Sequence, residues 1–493
     1  MKRPHLLFTV FLLLPVIVLQ IKAQKVMPEP NIDDLKITPE ILDVYIARQN
    51  NLLNKISDGI IVINSNTTGY NGGRHRLKSS NYFYYLTGFD ESDYAFMLSK
   101  NGKTRYSVFY PERDMTYKTY NGEQEEIETI QKKYKFGEVI KYSELSRILE
   151  ENITAKIPVH ICFSDVELKT IIDEIIAKTG ADPSLLKNIT PLINEMRVKK
   201  DELEVKRLQK AIDVTGEALV NVYKSCQPGM YEFEMEAIIE YNFLRFGASM
   251  PGFNSVVGSG KNSTILHNEK NNEIMKPGDL LLMDIGAEYD YYTADITRTI
   301  PVNGKFSKEQ KEIYELILRA QKAAIAEMRP GSFINSGHFK ASEIIVDGLL
   351  KLGLITDPEK EWQRKFYTLY PASHYLGMNV HDVGDYGKSM TEFMDNRANT
   401  TINGRPLEPG MVLTIEPGLY FRGNGLSQLH EFFGNEASKE EIDAFIEKVK
   451  PVYEKYINIG IRIEDDVLIT ESGNQVLSAG IPKEISEIEK LMK

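Results

Sequence analysis

Four carboxylates and one imidazole in the second half of the chain are side chains whose types could hold metal ions. They are Asp284, Asp295, His374, Glu416 and Glu464. Oxygen ligands with one nitrogen suit hard or borderline divalent ions such as manganese, cobalt or zinc. Two such ions about 3.5–4 Å apart can turn a water into a hydroxide nucleophile at neutral pH. The residue set therefore predicts metal-assisted hydrolysis.

The two aspartates lie on neighbouring segments with the composition of strands. Leu280–Gly286 is an apolar run, and Tyr291–Thr299 is rich in β-branched and aromatic residues. A hairpin that turns at Tyr289–Asp290 would make Asp284 and Asp295 directly opposite partners, with Cβ atoms about 4.5–5.5 Å apart. The alternative is one buried aspartate and one turn aspartate without a shared role. Bound cations would remove the cost of burying two adjacent carboxylates.

The two glutamates also lie on strand-like segments. Met411–Gly418 ends in a Pro-Gly turn signal directly after Glu416. In Ile459–Glu464, isoleucines alternate with polar or small residues, so that Arg462 and Glu464 share one face. Such a face commonly points to solvent, and we interpret it here as pointing into a site.

Five motifs follow one another in a specific order along this half of the chain. They are L-H-N-E at 266–269, D-I-G-A-E-Y with A-D-I-T-R-T between 284 and 299, S-H-Y-L-G-M-N-V-H-D-V-G at 373–384, T-I-E-P-G at 414–418 and G-I-R-I-E-D-D at 460–466. As an ordered set they resemble the pita-bread metallopeptidases, in the branch that holds Xaa-Pro aminopeptidase (aminopeptidase P) and prolidase. No single motif would be sufficient for this identification.

The resemblance implies two divalent ions, with Mn(II) the expected metal, and a role for each ligand. Asp284 would chelate one ion. Asp295 and Glu464 would bridge both ions. His374 and Glu416 would complete the second ion, and Glu416 would also carry a proton of the attacking water.

The resemblance also implies residues that act around the metals. His267 and His381 would line the substrate site and donate hydrogen bonds to the substrate carbonyl and the tetrahedral intermediate. Arg462 would hold Glu464 by a charge-assisted hydrogen bond. The chain departs from the family pattern at Tyr370, where a histidine that assists at the scissile carbonyl is expected. Tyr370 could bind substrate through its hydroxyl, but it cannot carry a proton near pH 7 as an imidazole can.

The predicted architecture has an α/β N-terminal domain of the creatinase type and an α+β pita-bread catalytic domain with pseudo-twofold symmetry. Strand-like and helical pieces alternate between residues 38 and 189, which indicates a mixed sheet. In the second half, a helix pair followed by strands occurs twice. We assign residues 1–23 to a signal peptide, 24–190 to the N-terminal domain and 191–493 to the catalytic domain, with a linker around Thr190–Lys200.

The composition and the N-terminal segment indicate which partners and which cellular location to expect for the protein. A net charge of −11 without a basic stripe argues against nucleic-acid binding. The N-terminus has a basic start, an apolar stretch Leu6–Ile21 and Ala23 for cleavage, which predicts a secreted or periplasmic protein without a stable membrane anchor. Cys162 and Cys226 fall in different predicted domains, so no disulfide is expected. The creatinase-type domain contacts a neighbouring subunit in the family, which implies a homo-oligomer, either a dimer or a tetramer.

Two hydrolytic functions are open at this stage. We favour an Xaa-Pro aminopeptidase acting on proline-containing peptides, and the alternative is a prolidase acting on Xaa-Pro dipeptides. The intervals from His374 to Glu416 and from Glu416 to Glu464 are longer than expected for aminopeptidase P and favour the prolidase. A non-catalytic or metal-free relative is disfavoured because all five ligands are present. Two inserts, at 385–406 and 438–456, are expected either to rim the site and limit substrate length or to be packing decoration.

Overall fold

The computed structural model describes residues 37–66, 80–100, 106–386 and 404–493. The predicted signal peptide and most of the insert at 385–406 lie outside the described residues. None of the helices in the described ranges is long and apolar enough to cross a membrane.

The N-terminal domain is a mixed six-stranded sheet with helices on both faces. Its strands are β1 (Ile60–Asn64), β2 (Ala95–Ser99), β3 (Tyr106–Tyr110), β4 (Glu138–Lys141), β5 (Val159–Ile161) and β6 (Leu186–Asn188). Its helices are α1 (Pro39–Asn54), α2 (Asn81–Thr87), α3 (Met115–Asn121), α4 (Ile127–Tyr134), α5 (Leu145–Thr154) and α6 (Val166–Thr179). The strand order is β4-β3-β2-β1-β5-β6, with β1 antiparallel to β2 and parallel to β5.

The central strand β1 is buried along its whole length because helices cover both of its faces. Ile60 and Val62 belong to the apolar cluster formed with α5 and α6, whereas Ile61 and Ile63 belong to the cluster that includes α1 and α2. Burial on both faces explains why the sequence of β1 is apolar at consecutive positions and does not alternate with polar residues. The aromatic stretch at 81–89 forms α2 and packs into the core.

The catalytic half repeats a helix pair and a three-stranded sheet. Its helices are α7 (Thr190–Val198), α8 (Glu202–Ser225), α9 (Glu232–Arg245), α10 (Lys308–Glu327), α11 (Ser336–Leu352), α12 (Glu361–Tyr367), α13 (Leu429–Phe433), α14 (Lys439–Tyr453) and α15 (Ile485–Leu491). Its strands are β7 (Met250–Pro251), β8 (Val256–Ser259), β9 (Leu280–Ile285), β10 (Ala287–Tyr289), β11 (Tyr292–Thr293), β12 (Ile296–Pro301), β13 (Val412–Ile415), β14 (Gly418–Tyr420), β15 (Gly460–Arg462), β16 (Asp465–Thr470) and β17 (Gly473–Val476).

One half places α8 and α9 beside the sheet β12-β9-β8, and the other places α10 and α11 beside the sheet β13-β16-β17. Helix α10 begins at a capping box in which the side chains of Ser307 and Gln310 each accept from the backbone N–H of the other. The predicted fold class, including the repeat, is confirmed.

The segment predicted as a linker is mostly helical. Thr190–Val198 forms α7, with Pro191 in its first turn, where proline is tolerated because that N–H has no partner within the helix. Arg197 near its end is buried. The connection between the domains is therefore a packed element rather than a spacer.

The helix predicted at 438–456 is present as α14 and is packed against its neighbours. Phe445 meets the ring of Trp362 edge to face at 4.9 Å, and Tyr453 meets Phe421 at 5.4 Å. These contacts fasten α14 to α12 and to the segment after β14, which fits the packing interpretation of this insert.

Candidate metal centre

The hairpin that carries both aspartates turns one residue later than predicted. Its central residues are Asp290 and Tyr291, whose φ values are 48° and 73°. Positive φ at both central positions is the geometry of a type I′ turn, which matches the twist of antiparallel strands. Aspartate tolerates this conformation, but a tyrosine needs compensation from tertiary contacts. The ring of Tyr291 receives it by stacking on Tyr84 of the N-terminal domain.

This turn changes the predicted partner of Asp284. Asp284 lies opposite Thr297, and continuing the same register places Asp295 opposite Gly286. The prediction that the two aspartates are direct partners is wrong by two positions. Side chains alternate between the two faces of a sheet, and the register is shifted by two residues. Both aspartate side chains therefore remain on one face as diagonal neighbours. A Cβ on Gly286 would lie 1.8 Å from the carbonyl oxygen of Ala294, so the strands approach this closely only with glycine here.

The two glutamates come together in a second antiparallel ladder. Strand β13 pairs with β16 up to Ile415, and β14 pairs with β15 in the same register from Gly418 onward. Continuing that register across the gap makes Glu416 and Glu464 opposite each other. Asp295, Glu416 and Glu464 lie where their ladders are interrupted, whereas Asp284 lies within β9 and is regularly paired.

His374 lies on an extended segment beside β13. Its carbonyl oxygen accepts from Thr414 N at 2.9 Å, and Glu416 N donates to the Ala372 carbonyl oxygen at 3.0 Å. His374 and Glu416 are thus diagonal neighbours, with Nε2 3.6 Å from Oε1. The Nδ1 atom of His374 lies 3.1 Å from the Tyr375 carbonyl oxygen, which only accepts, so Nδ1 carries the proton and Nε2 keeps its lone pair. Burial, aided by His381, lowers the pKa of His374 to about 3, so the ring is neutral at pH 7.

Three of the predicted ligands form a buried cluster. Potential ligand atoms of Asp295, His374 and Glu464 all lie within 4.8 Å of one another. Nε2 of His374 is 3.2 Å from Oδ2 of Asp295. Among the described residues, Oδ1 of Asp284 and Oδ1 of Asp295 are buried without any hydrogen-bond partner. Buried carboxylate oxygens without donors are what a cation would satisfy.

The carboxylates repel one another when no cation lies between them. Burial, followed by repulsion from Glu464 and Asp284, raises the pKa of Asp295 well above its ordinary value. Burial, followed by repulsion from Glu416, raises the pKa of Glu464 well above its ordinary value. Burial raises the pKa of Glu416 to about 8, with Arg462 opposing and Asp284 adding to the shift. The residues present therefore fit divalent metal ions.

Arg462 holds a different ligand from the one predicted. Its guanidinium forms an ion pair with Asp284, and its Nε donates to Thr297 Oγ1 at 2.9 Å. Glu464 is held by Thr297, whose hydroxyl donates to Oε2 at 2.6 Å. The predicted bond from Arg462 to Glu464 is wrong because side chains two positions apart on one strand lie about 6.6 Å apart, and the guanidinium reaches across to the next strand instead.

Tyr370 and Tyr420 lie behind Glu416. The hydroxyl of Tyr370 donates to the main-chain oxygen of Glu416 at 2.8 Å and lies 3.0 Å from the hydroxyl of Tyr420. Tyr420 in turn accepts from Arg462 Nη1 at 3.2 Å. The hydroxyl of Tyr370 thus binds main chain in this structure, and its hydrogen bond to substrate stays a prediction. Thr297 and Tyr420 are the residues that sequence reasoning missed.

The two histidines predicted to line the substrate site are both exposed. The ring of His381 stands nearly perpendicular to that of His374, with centroids 4.5 Å apart. Burial lowers the pKa of His381, Asp284 opposes this, and His267 adds to it. His381 thus lies directly beside the ligand cluster, and His267 is close enough to act on it electrostatically.

The loop that carries His381 is held by a buried ion cluster at the next residue, Asp382. Asp382 pairs with Arg197 at 2.6 Å and with Lys200 at 3.0 Å. Burial alone would raise the pKa of Asp382, but Lys200 and Arg197 outweigh it and hold the pKa below its ordinary value. A Cβ on Gly377 would lie 2.1 Å from Oδ2 of Asp382, which explains the glycine of the L-G-M-N-V-H-D motif.

Comparison with known proteins agrees with this architecture. Residues 206–471 match the model of metallopeptidase family M24, and residues 45–160 match that of the aminopeptidase P N-terminal domain. The Xaa-Pro aminopeptidase of Haemophilus influenzae is 35% identical over 425 residues, covering 84% of this chain and 88% of the relative.

A dipeptidase and a solved structure are also similar to the chain. The Xaa-Pro dipeptidase of Mus musculus is 30% identical over 430 residues, covering 84% of each chain. The structure of Pseudomonas aeruginosa aminopeptidase PepP superposes with a TM-score of 0.78 at 32% identity, covering 93% of this chain and 98% of that one. The family match and the similar aminopeptidases are consistent with the fold and with the buried cluster. The chain is a peptide hydrolase that belongs to metallopeptidase family M24.

Proposed function

We propose that this protein is a manganese-dependent Xaa-Pro aminopeptidase, which releases an N-terminal residue that precedes proline. The buried cluster of Asp295, His374 and Glu464 supports hydrolysis most directly, because its potential ligand atoms lie within 4.8 Å of one another and Oδ1 of Asp295 has no hydrogen-bond partner. The proline specificity is taken from the relatives, among which the Xaa-Pro aminopeptidase of Escherichia coli is 34% identical over 427 residues.

Five side chains would hold two metal ions. They are Asp284, Asp295, His374, Glu416 and Glu464. When bound, such a pair supplies Lewis-acid activation of water and of the substrate carbonyl. Four carboxylates with one imidazole form an oxygen-rich set that suits manganese better than a thiol-containing set would.

Glu416 is the residue proposed to move the proton. Its carboxyl is half-buried beside the cluster, with Oε1 3.6 Å from Nε2 of His374. A carboxylate at this position can take a proton from water and return it to the departing proline nitrogen, which needs protonation to leave. The backbone bond to Ala372 and the hydrogen bond from Tyr370 keep its main chain in place.

His267 and His381 are proposed to bind the peptide. A neutral imidazole can donate one hydrogen bond, and the lowered pKa of His381 favours the neutral ring at pH 7. Both rings are exposed, so a peptide can reach them. Donors placed beside the scissile carbonyl stabilise the charge that develops on its oxygen.

Hydrolysis of two tripeptides tests this function. We expect Mn-loaded protein to cleave Arg-Pro-Pro between arginine and the first proline and to leave Arg-Ala-Ala intact. A His374→Ala variant should lose this activity, whereas His160→Ala, in the N-terminal domain, should keep it. No cleavage of any Xaa-Pro bond by the Mn-loaded wild type would contradict the proposal.

The second candidate is an Xaa-Pro dipeptidase. The similarity to the mouse Xaa-Pro dipeptidase and the long intervals between the ligands favour it. Cleavage of Gly-Pro without cleavage of Arg-Pro-Pro would select this function.

Location and assembly complete the proposal. The basic and apolar N-terminus with Ala23 supports export and cleavage, which N-terminal sequencing of the mature protein would test. The match of residues 45–160 to the aminopeptidase P N-terminal domain supports a homo-oligomer. Light scattering during gel filtration would give its size.

A further inference from the structure

Tyr370 stands where the family resemblance leads us to expect a histidine that assists at the scissile carbonyl. In this chain the hydroxyl of Tyr370 donates to the main-chain oxygen of Glu416 at 2.8 Å. A tyrosine hydroxyl has a single proton to donate. The proton that Glu416 accepts is therefore not available to the substrate.

The direction of the neighbouring hydrogen bonds follows from the same rule. The guanidinium of Arg462 only donates, so the Tyr420 hydroxyl accepts from its Nη1 at 3.2 Å. Tyr370 has already given its proton to Glu416, so the 3.0 Å contact between the two hydroxyls is donated by Tyr420. The result is a one-way chain from Arg462 through both tyrosines to Glu416.

This series of hydrogen bonds connects two of the proposed ligands, Asp284 and Glu416. At one end Arg462 forms an ion pair with Asp284, and at the other Tyr370 holds the main chain of Glu416. Gly418 leaves room for it, since a Cβ there would lie 2.7 Å from the Tyr420 hydroxyl and 2.8 Å from the Tyr370 hydroxyl. A side chain at position 418 would therefore collide with the two hydroxyls.

We propose that Tyr370 is a positioning residue, which fixes Glu416 within the centre and does not contact the substrate. The inference deepens the proposed function, because it assumes the proton-transfer role of Glu416. It assigns position 370, a substrate-assisting histidine in the family pattern, to the support of a ligand in this chain.

Tyr370→Phe tests the proposal because it removes only the hydroxyl. We expect kcat on Arg-Pro-Pro to fall about tenfold, which is about 1.4 kcal/mol of barrier, with KM unchanged within about twofold. Tyr367→Phe is the matched control, since its buried hydroxyl also donates to a backbone carbonyl, that of Leu354 at 3.0 Å. The control should leave kcat and KM unchanged. An increase in KM at constant kcat would mean that Tyr370 touches the substrate, and it would overturn the proposal.

A second readout does not depend on activity. Glu416 is a proposed ligand, so its displacement should alter the visible absorption of the Co(II)-loaded protein and weaken Co(II) binding about tenfold in Tyr370→Phe. The Tyr367→Phe spectrum should match the wild type. Unchanged absorption and affinity in Tyr370→Phe would overturn the proposal. If the wild type cleaves no Xaa-Pro peptide, the proposed function fails, and the Co(II) comparison still decides whether Tyr370 positions Glu416.

Discussion

Tyr84 of the N-terminal domain stacks face to face on Tyr291, with ring centroids 3.7 Å apart and planes inclined by 6°. Tyr291 is the second central residue of the turn that sets the register of the aspartate hairpin. The Tyr84 hydroxyl also donates to Asp290, which forms an ion pair with Arg207. The turn that aligns two proposed metal ligands, Asp284 and Asp295, is thus held by the other domain.

Removal of this stack should weaken both the fold and the centre. Tyr84 is buried, so Tyr84→Ala should cost about 3–5 kcal/mol of unfolding free energy, as for other large-to-small aromatic changes. It should also weaken metal binding, since the turn can then leave its left-handed conformation. Urea unfolding and metal titration measure the two effects.

Tyr84→Phe is the matched variant for this prediction. It keeps the stacked ring and removes the hydrogen bonds that the hydroxyl donates to Asp290 and accepts from Arg207, which remain paired with each other. We expect a loss of about 1 kcal/mol and unchanged metal affinity. If Tyr84→Ala bound metal as tightly as Tyr84→Phe, the turn would not depend on the stack.

A second prediction concerns Thr297, the residue between Arg462 and Glu464. Its hydroxyl accepts from the guanidinium and donates to the carboxylate, at 2.9 and 2.6 Å. Thr297→Val keeps the shape and removes both bonds. Changes of this kind weaken metal binding by about 10–100-fold, which isothermal titration with Mn(II) would detect.

Thr87→Val is the control for Thr297→Val. Thr87 is equally buried, and its hydroxyl also donates and accepts, to Phe83 O and from Phe89 N, within the N-terminal domain. Both variants should lose comparable stability, but Thr87→Val should bind Mn(II) as the wild type does. Equal metal affinity in the two variants would show that Thr297 does not support Glu464.

The third prediction concerns the buried ion cluster below His381. Asp382→Asn leaves Arg197 and Lys200 without their carboxylate, and removal of one partner of a buried ion pair costs about 3–5 kcal/mol. The loop should shift and lower kcat as well. Asp443→Asn, which breaks an exposed pair with His430, should change stability by less than about 1 kcal/mol.

The contribution of Asp382 has a predictable pH dependence. Its pKa is lowered in the folded state, so the unfolded chain binds more protons between the two pKa values. The stabilisation is complete above the ordinary aspartate pKa of about 3.9 and is lost as the pH falls through the folded value. The difference between the urea midpoints of wild type and Asp382→Asn should therefore be constant from pH 6 to about pH 4 and should shrink below that pH. A difference that stays constant below that pH as well would contradict the assignment.

The sequence was sufficient to predict the fold class because the elements depend on local patterns. The apolar run Leu280–Gly286 contains β9, and the helix predicted at 438–456 is present as α14. Asp284 was a candidate ligand because a carboxylate in an apolar strand is costly to bury without a cation.

The details that were wrong depend on contacts distant in sequence. The hairpin turns at Asp290–Tyr291 because Tyr84, some 200 positions earlier, stacks on Tyr291. Thr297 could not be separated from its neighbours Thr293 and Thr299, since only the placement of β15 shows which hydroxyl meets the guanidinium of Arg462. The sequence predicts the components of the centre, and tertiary packing decides their partners.

The last prediction concerns the protein without its metals. Asp295 and Glu464 are buried within reach of one another, and their repulsion destabilises the metal-free fold. Chelation should therefore lower the melting temperature, and Mn(II) at 1,000 times its Kd should restore about 4 kcal/mol of stability. Differential scanning calorimetry with and without Mn(II) measures this difference.

The Asp295→Asn variant distinguishes the effect of carboxylate repulsion on the melting temperature from the effect of metal binding. The amide removes one buried charge, so the metal-free variant should melt at a higher temperature than the metal-free wild type. The same change removes a ligand, so added Mn(II) should raise its melting temperature far less than that of the wild type. A metal-free variant less stable than the metal-free wild type would show that Asp295 stabilises the fold by other contacts, such as the bond from its backbone N–H to Asp466.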